Sequence, residues 1–369
     1  MTANTHQPKT KVLHFVTGGF SGATAVAVSL VLHALQGQQL EPLLVLRRKS
    51  QTQAAQLERL RAQAIPLCVV PGWWHGASIF ALYRLCRTFK PDVLVAHGFS
   101  EHLWGRIAGW LAGVPVLIQV EHNSRERYSP WRRWLSKQLA ARSRWLVGVS
   151  EGVRQAMLDM GLPPKKCVSI PNGIALAPYA DAEQHAYGTR LPSILMSARF
   201  ARQKDHRTLL QALALLKTRG LTPPLVLIGG GKPQHRLRCE QLAEQLGITE
   251  QVEFKGFVQD VPALLQQHQI AVLSTHYEGM PLALVEAMAA GCVVVGSEVV
   301  GVRELLQDGV TGFLVRHQDA AHLADVLQKL LTEPLQAAAV AQAGRHYALT
   351  HLSREQMVAR YEALFAAAL

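Results

Sequence analysis

The sequence predicts an α/β protein made of two successive doubly wound units. Three observations lead there. Short apolar runs alternate with helical patterns along the whole chain, which is the signature of βαβ units and parallel sheets. The length of 369 residues suits two domains rather than one. The charge is also divided: residues 1–175 hold 21 Lys and Arg against 8 Asp and Glu, whereas 176–369 hold 17 against 18.

The first strand is expected at 11–17, followed by the turn Gly18-Gly19-Phe20-Ser21-Gly22 and a helix at 22–36. Strands at 42–46, 66–70, 91–97, 115–122 and 144–150 then alternate with helices at 53–64, 79–89, 103–112 and 129–141. Pro, Gly and polar residues cluster at 172–192 and mark the join. The theme repeats with strands at 193–198, 224–229, 252–255, 270–274 and 292–296, and helices at 205–219, 233–246, 261–267, 281–290 and 320–331. The expected domains are 1–175 and 190–350, with a last helical segment at 351–369 carrying Met357, Tyr361, Leu364 and Phe365. Two doubly wound sheets imply a cleft, with ligands at the carboxyl ends of strands.

Composition excludes several classes. Apolar residues make up 49% of the chain, enough for packed cores. The five cysteines are scattered and no CxxC occurs, which argues against a disulfide framework or a structural zinc site. That usage suits a reducing, cytoplasmic compartment. The first eleven residues are polar, unlike a secretory signal. The apolar stretch 16–35 contains a glycine cluster and reads as strand, loop and buried helix rather than a membrane span. The basic first half points to an anionic partner.

The most informative segment is 277–291, YEGMPLALVEAMAAG. Glu278 and Gly279 follow a predicted strand. Pro281 fits the first helical position, and Gly291 fits the stop. The helix start offers N–H groups near Met280, Leu282 and Ala283, a setting for phosphate. Glu286 lies about 8 Å further along the helix axis. Two carboxylates flanking such a site can bond sugar hydroxyls on either side of a diphosphate. A core helix with one dipole-favoured and one solvated glutamate is the plain alternative. The loop 197–206, SARFARQKDH, places Arg199 and Lys204 after a strand, where a guanidinium fork and a point charge can neutralise a diphosphate. Gly229-Gly230-Gly231 and Gly256-Phe257-Val258 end two further strands and leave room for close backbone approach.

The pattern E-G-x-P-L-x-x-x-E-A-M-A-x-G at 278–291 resembles the E-x7-E signature of retaining glycosyltransferases of family 4, which have the GT-B fold. The likeness extends to Gly18-Gly19, Ile170-Pro171-Asn172-Gly173-Ile174, Arg199 with Lys204, Gly229 to Gly231, Gly256-Phe257 and Gly301-Val302-Arg303-Glu304. It implies two Rossmann-like domains facing across a cleft, with the last helix crossing back to the first. It implies that Glu278 contacts donor-sugar hydroxyls, Glu286 the ribose, and Arg199 and Lys204 the diphosphate. Backbone at Gly19, Gly229, Gly230, Gly279, Met280, Pro281 and Leu282 would approach phosphate or sugar, and Phe257-Val258 the base. The family often places a histidine where His122 ends a strand, so His122 is expected in the catalytic centre. His97, Glu101 and His102 are expected toward the acceptor.

The resemblance implies transfer, with retained anomeric configuration, of a hexosyl or N-acetylhexosaminyl group from a nucleotide-diphosphate sugar, with UDP the expected nucleotide. The acceptor would be a glycan or glycolipid in bacterial-type cell-surface polysaccharide or lipopolysaccharide assembly. No Asp-x-Asp occurs in the chain, so no metal and no cofactor are expected, and Arg199 and Lys204 would supply the positive charge. Residues 125–144, RERYSPWRRWLSKQLAARSR, interleave Trp131, Trp134, Leu135 and Leu139 with cations as far as Arg144. That pattern suits docking of 131–144 on the anionic inner face of the cytoplasmic membrane, or a helix packed on its own sheet. A GT-B nucleotide-sugar epimerase would use the same donor loops without an acceptor. A nicotinamide oxidoreductase would need a differently spaced glycine fingerprint. No zinc-finger, RNP-type or basic-zipper pattern supports nucleic-acid binding.

Overall fold

The structure is a computed structural model that describes residues 9–37, 39–50, 52–124 and 128–369. Three residues of the basic stretch quoted above, 125–127, lie outside the described residues. The chain divides into two compact units. One runs to Asn172 and takes in Glu355–Leu369; the other is Gly173–Arg354.

The first unit is a seven-stranded parallel sheet. Its spatial order is β3 (Leu67–Val70), β2 (Leu40–Arg47), β1 (Thr10–Thr17), β4 (Val93–His97), β5 (Val116–Glu121), β6 (Trp145–Gly148) and β7 (Cys167–Ser169). The central strands are buried on both faces because helices cover them, so the apolar–polar alternation is lost, with His14, His97, Gln119 and Glu121 as buried polar exceptions. Helix α1 (Gly22–Gln36) packs Ala23, Ala27 and Val31 into one cluster with Leu44 and Leu46. On the sheet's other face α3 (His75–Phe89), α4 (Glu101–Ala112) and α5 (Pro130–Arg142) contribute Leu82, Leu103, Ala108 and Leu139. Helices α2 (Ala54–Ala62) and α6 (Glu151–Asp159) complete the crossovers.

The second unit repeats the winding with six parallel strands: β10 (Val252–Gly256), β9 (Leu225–Ile228), β8 (Leu191–Ser197), β11 (His268–Leu273), β12 (Val293–Ser297) and β13 (Phe313–Val315). Its helices are α7 (His206–Thr218), α8 (Pro233–Gln245), α9 (Val261–Gln267), α10 (Leu282–Ala289), α11 (Val300–Arg303), α12 (Ala320–Thr332) and α13 (Pro334–His351). The strand order reverses between β1 and β4, and again between β8 and β11. At such a reversal the two neighbouring loops leave in opposite directions and open a crevice above the strand ends.

Some elements differ from the sequence expectation. Strands β7 and β13 have three residues each, too few to show a pattern. Helices α6, α11 and α13 were not expected either; α13 carries alanines on all sides and so shows a weak stripe. Pro281 is the N-cap of α10 rather than its first helical residue. The last helix, α14 (Arg354–Ala366), starts after 351 because Ser353 is extended and bridges Ile174. The Ile174 carbonyl accepts from the Arg354 N–H at 2.7 Å.

Candidate active site

Both loops at the reversal of the second sheet carry sequence-predicted site residues. One follows β8 and runs through Ala198 to Asp205; the other follows β11 and runs from Ser274 to Pro281. Backbone bonds zip them together: the Asp205 N–H donates to Ser274 O at 3.0 Å and the His276 N–H to Gln203 O at 2.9 Å. The Gln203 side chain donates to Tyr277 O at 2.8 Å. Asp205 caps α7 by accepting from the Thr208 N–H at 3.2 Å, which fixes where the first loop ends.

This zipping brings Lys204 and Glu278 into an ion pair. Glu278 is buried and also accepts from the Thr275 hydroxyl at 2.9 Å. Gly279 and Pro281 are buried beside it, while Met280 and Leu282 are half-buried. The N–H groups of Leu282 and Ala283 open α10 and have no preceding carbonyl within the helix. A cation, a carboxylate and a helix start thus share one strand-end crevice. Arg199 stands exposed in the Lys204 loop and does not join the ion pair. Glu286, half-buried in the second turn of α10, is pushed up to about 7 by desolvation.

Two glycine positions explain how the backbone gets this close. Gly229 has φ of +133°, and a Cβ there would lie 2.2 Å from Ala198 O. Only glycine lets the β9 end run against the segment that carries Arg199. Gly230 is exposed in that turn, and its carbonyl accepts from the Phe200 N–H at 2.7 Å. At Gly301, a Cβ would meet Gly279 O at 2.1 Å, so the Gly301-Val302 motif makes room for the Glu278 loop. Phe257 is exposed and Val258 half-buried past the end of β10.

In the first unit, His122 follows β5 and is half-buried. Its Nε2 lies 3.3 Å from His97 Nδ1, and His97 Nε2 lies 3.1 Å from His14 Nδ1. The three imidazoles come from the adjacent strands β1 and β4 and the residue after β5. Desolvation holds His14 and His122 down at about 3, and it pushes His97 well below the usual range, helped by its two neighbours. The row is therefore neutral at pH 7. Gly19, half-buried after β1, donates to Thr17 Oγ1 at 3.3 Å.

His97, Glu101 and His102, expected toward the acceptor, are all buried. They are 0%, 3% and 0% exposed. Glu101 pairs with Arg47 at 3.3 Å and Lys49 at 2.8 Å. Arg106 can only donate, so His102 Nδ1 accepts from it at 2.9 Å. His102 Nε2 then donates to Tyr128 Oη at 2.6 Å, and that hydroxyl donates to Glu121 Oε2 at 3.0 Å. These side chains are committed to internal networks. Sequence reasoning missed His14, Thr275 and Gln203, whose roles depend on which strands and loops become neighbours.

The two doubly wound sheets, each with a reversal of strand order, define an α/β protein of two Rossmann-like units. The description "Glycosyl transferases group 1" matches residues 180–347, and "Glycosyltransferase Family 4" matches 20–177. A Bacillus subtilis (strain 168) protein bearing the glycosyltransferase name EpsD is 32% identical over 287 residues, 73% of this chain and 74% of its own. The UDP-Gal:alpha-D-GlcNAc-diphosphoundecaprenol alpha-1,3-galactosyltransferase of Escherichia coli is 25% identical over 270 residues, 69% of this chain and 70% of its own. Anabaena Alr3699/HepE, solved with UDP-glucose, superposes with a TM-score of 0.84 at 20% identity, covering 97% of this chain and 99% of that one. The chain belongs to the family 4 glycosyltransferases, and its fold is GT-B.

Proposed function

We propose that the protein transfers a hexosyl or N-acetylhexosaminyl group from a UDP-sugar to a lipid-linked glycan in cell-surface polysaccharide assembly, with retention of configuration and without a metal. The observation that carries this reading is the Lys204–Glu278 pair, set on two zipped loops beside the α10 start. As the glycosidic bond breaks, negative charge builds on the departing diphosphate. Lys204, exposed Arg199 and the first amides of α10 are preorganised to stabilise that charge. The fixed cations supply the charge that a divalent ion supplies elsewhere. Once Lys204 turns to the diphosphate, Glu278 becomes available to accept from donor-sugar hydroxyls. Glu286 serves the ribose, Phe257-Val258 the base, and Gly19, Gly229 and Gly230 the close backbone approaches. His122 acts as a neutral imidazole that orients the transferring sugar or the acceptor hydroxyl.

The lipid-linked acceptor draws support from the E. coli relative's printed substrate and from the surface of α5. Trp131 and Trp134 are 52% and 62% exposed, next to Arg132 and Arg133. Their exposure favours docking on an anionic membrane over packing on the sheet. Among the described residues no helix is long and apolar enough to cross a membrane, so this docking would be peripheral.

The test is a panel of UDP-, GDP- and ADP-sugars with lipid-linked acceptors, followed by NMR of the product's anomeric configuration, with and without EDTA. Retained configuration from a UDP-sugar, unaffected by chelation, is expected. An inverted product, or activity abolished by EDTA, refutes the corresponding part.

A further inference from the structure

A cavity of about 180 Å³ opens in the first unit beside the end of β5. One wall carries Glu121 and Asn123, the residues on either side of His122. The opposite wall is Ala156 and Met157 of α6, with Met160 just beyond it. Glu121 is 1% exposed. Its Oε2 accepts from Tyr128 at 3.0 Å and Gln119 at 3.4 Å, but its Oε1 has no partner. Asn123 Oδ1 is likewise buried without a partner. Buried polar atoms are nearly always satisfied, so two lone acceptors lining one cavity call for donors from outside the chain.

The two walls ask for different chemistry. Glu121 Oε1 and Asn123 Oδ1 need hydroxyl or N–H groups and disfavour an anion. The thioether and methyl wall needs C–H surface. A pyranose ring has both, hydroxyls at its edge and axial C–H groups on its faces. The volume holds about six waters at about 30 Å³ each, which is the scale of one ring and too small for a nucleotide.

We propose that this cavity is a carbohydrate subsite that takes one pyranose ring of the acceptor, with its hydroxyls on Glu121 and Asn123 and its C–H face on Met157 and Met160. Reading that ring as the acceptor's rests on the glycosyltransferase function above. The subsite lies on the segment that carries His122, whose own side chain is turned to His97 and does not line it.

The experiment is saturation-transfer NMR with methyl glycosides of glucose, galactose, mannose and N-acetylglucosamine, alongside a UDP titration of the same samples. Ala156 is half-buried, so Ala156→Phe fills the cavity from the helix surface; Asn123→Ala removes one acceptor. At least one glycoside should give a signal in the wild type, lost in Ala156→Phe and reduced in Asn123→Ala, with UDP affinity and melting temperature unchanged. No glycoside signal in a wild-type protein that binds UDP overturns the subsite and leaves the transferase reading standing. A signal that persists in Ala156→Phe also overturns it. Failure to bind UDP strikes the transferase reading instead, while the glycoside arms still judge the cavity.

Discussion

Replacing Lys204 by alanine leaves the Glu278 carboxylate buried, with the Thr275 hydroxyl still bonded to it at 2.9 Å. Breaking a fully buried ion pair costs about 3–5 kcal/mol, and an exposed pair is worth about 0–1 kcal/mol. The side chains of Lys204 and Glu278 are 13% and 9% exposed, so the cost falls between these limits, at about 2 kcal/mol. For a unit of this size each kcal/mol lowers the melting temperature by about 2–4 °C, giving a fall of about 4–8 °C. Thermal melting reads it directly. The double variant Lys204→Met with Glu278→Gln carries no lone charge and should recover at least half the loss. UDP at about 100 times its Kd should stabilise the wild type by about 2.7 kcal/mol, and this stabilisation should shrink strongly in Lys204→Ala. Two results would refute the reasoning: a single-variant shift below about 1 °C, or single losses that simply add in the double.

Gly301→Ala places a methyl group 2.1 Å from Gly279 O, so it should displace the Glu278 loop and cut transfer at least tenfold, with a clear fall in melting temperature; unchanged kinetics would show that the loop tolerates it. Glu286 is raised to about 7 by burial, above the roughly 4.3 of an unfolded glutamate. Its protonated form is favoured by folding, so its contribution is full below about pH 4.3 and is lost as pH rises through about 7. The melting temperature of Glu286→Gln relative to wild type should therefore climb across that window, and a pH-independent difference would contradict the desolvation of this carboxyl. The double change Trp131→Ser with Trp134→Ser should reduce sedimentation with anionic vesicles at least several-fold while transfer to a soluble acceptor analogue persists; equal vesicle binding would dismiss α5 as the docking surface.

How much of this was legible in the sequence follows from the range of the interactions. The loop and helix start after β11 were readable because their requirements are local. A strand end, a proline at the helix entrance and a glycine stop lie within fifteen residues, so Glu278 and the α10 start could be placed without knowing any neighbour. Lys204 was legible as a cation after a strand. Its partner was not, because the contact spans 74 residues and depends on β8 lying beside β11. The edge strands β7 and β13 were missed because three residues carry no period.

The first unit shows the converse. His97, Glu101 and His102 lie at a strand end and a helix start, where exposed functional groups are common, yet all three are closed off by partners from other elements. The sequence offers no sign that His14 sits 83 residues from the imidazole it bonds, or that Arg106 and Tyr128 enclose His102. A polar residue at a strand's carboxyl end faces a ligand only if no nearby group satisfies it first. The informative quantity is thus the leftover valence. His97 and His102 have both ring nitrogens bonded, and Glu101 is paired twice, whereas Glu121 keeps one oxygen and Asn123 keeps its amide oxygen unpartnered. Trp104 Nε1, Gln119 Oε1 and Trp145 Nε1 of the first unit are unpartnered too, so what sets Glu121 and Asn123 apart is that their lone oxygens accompany a cavity.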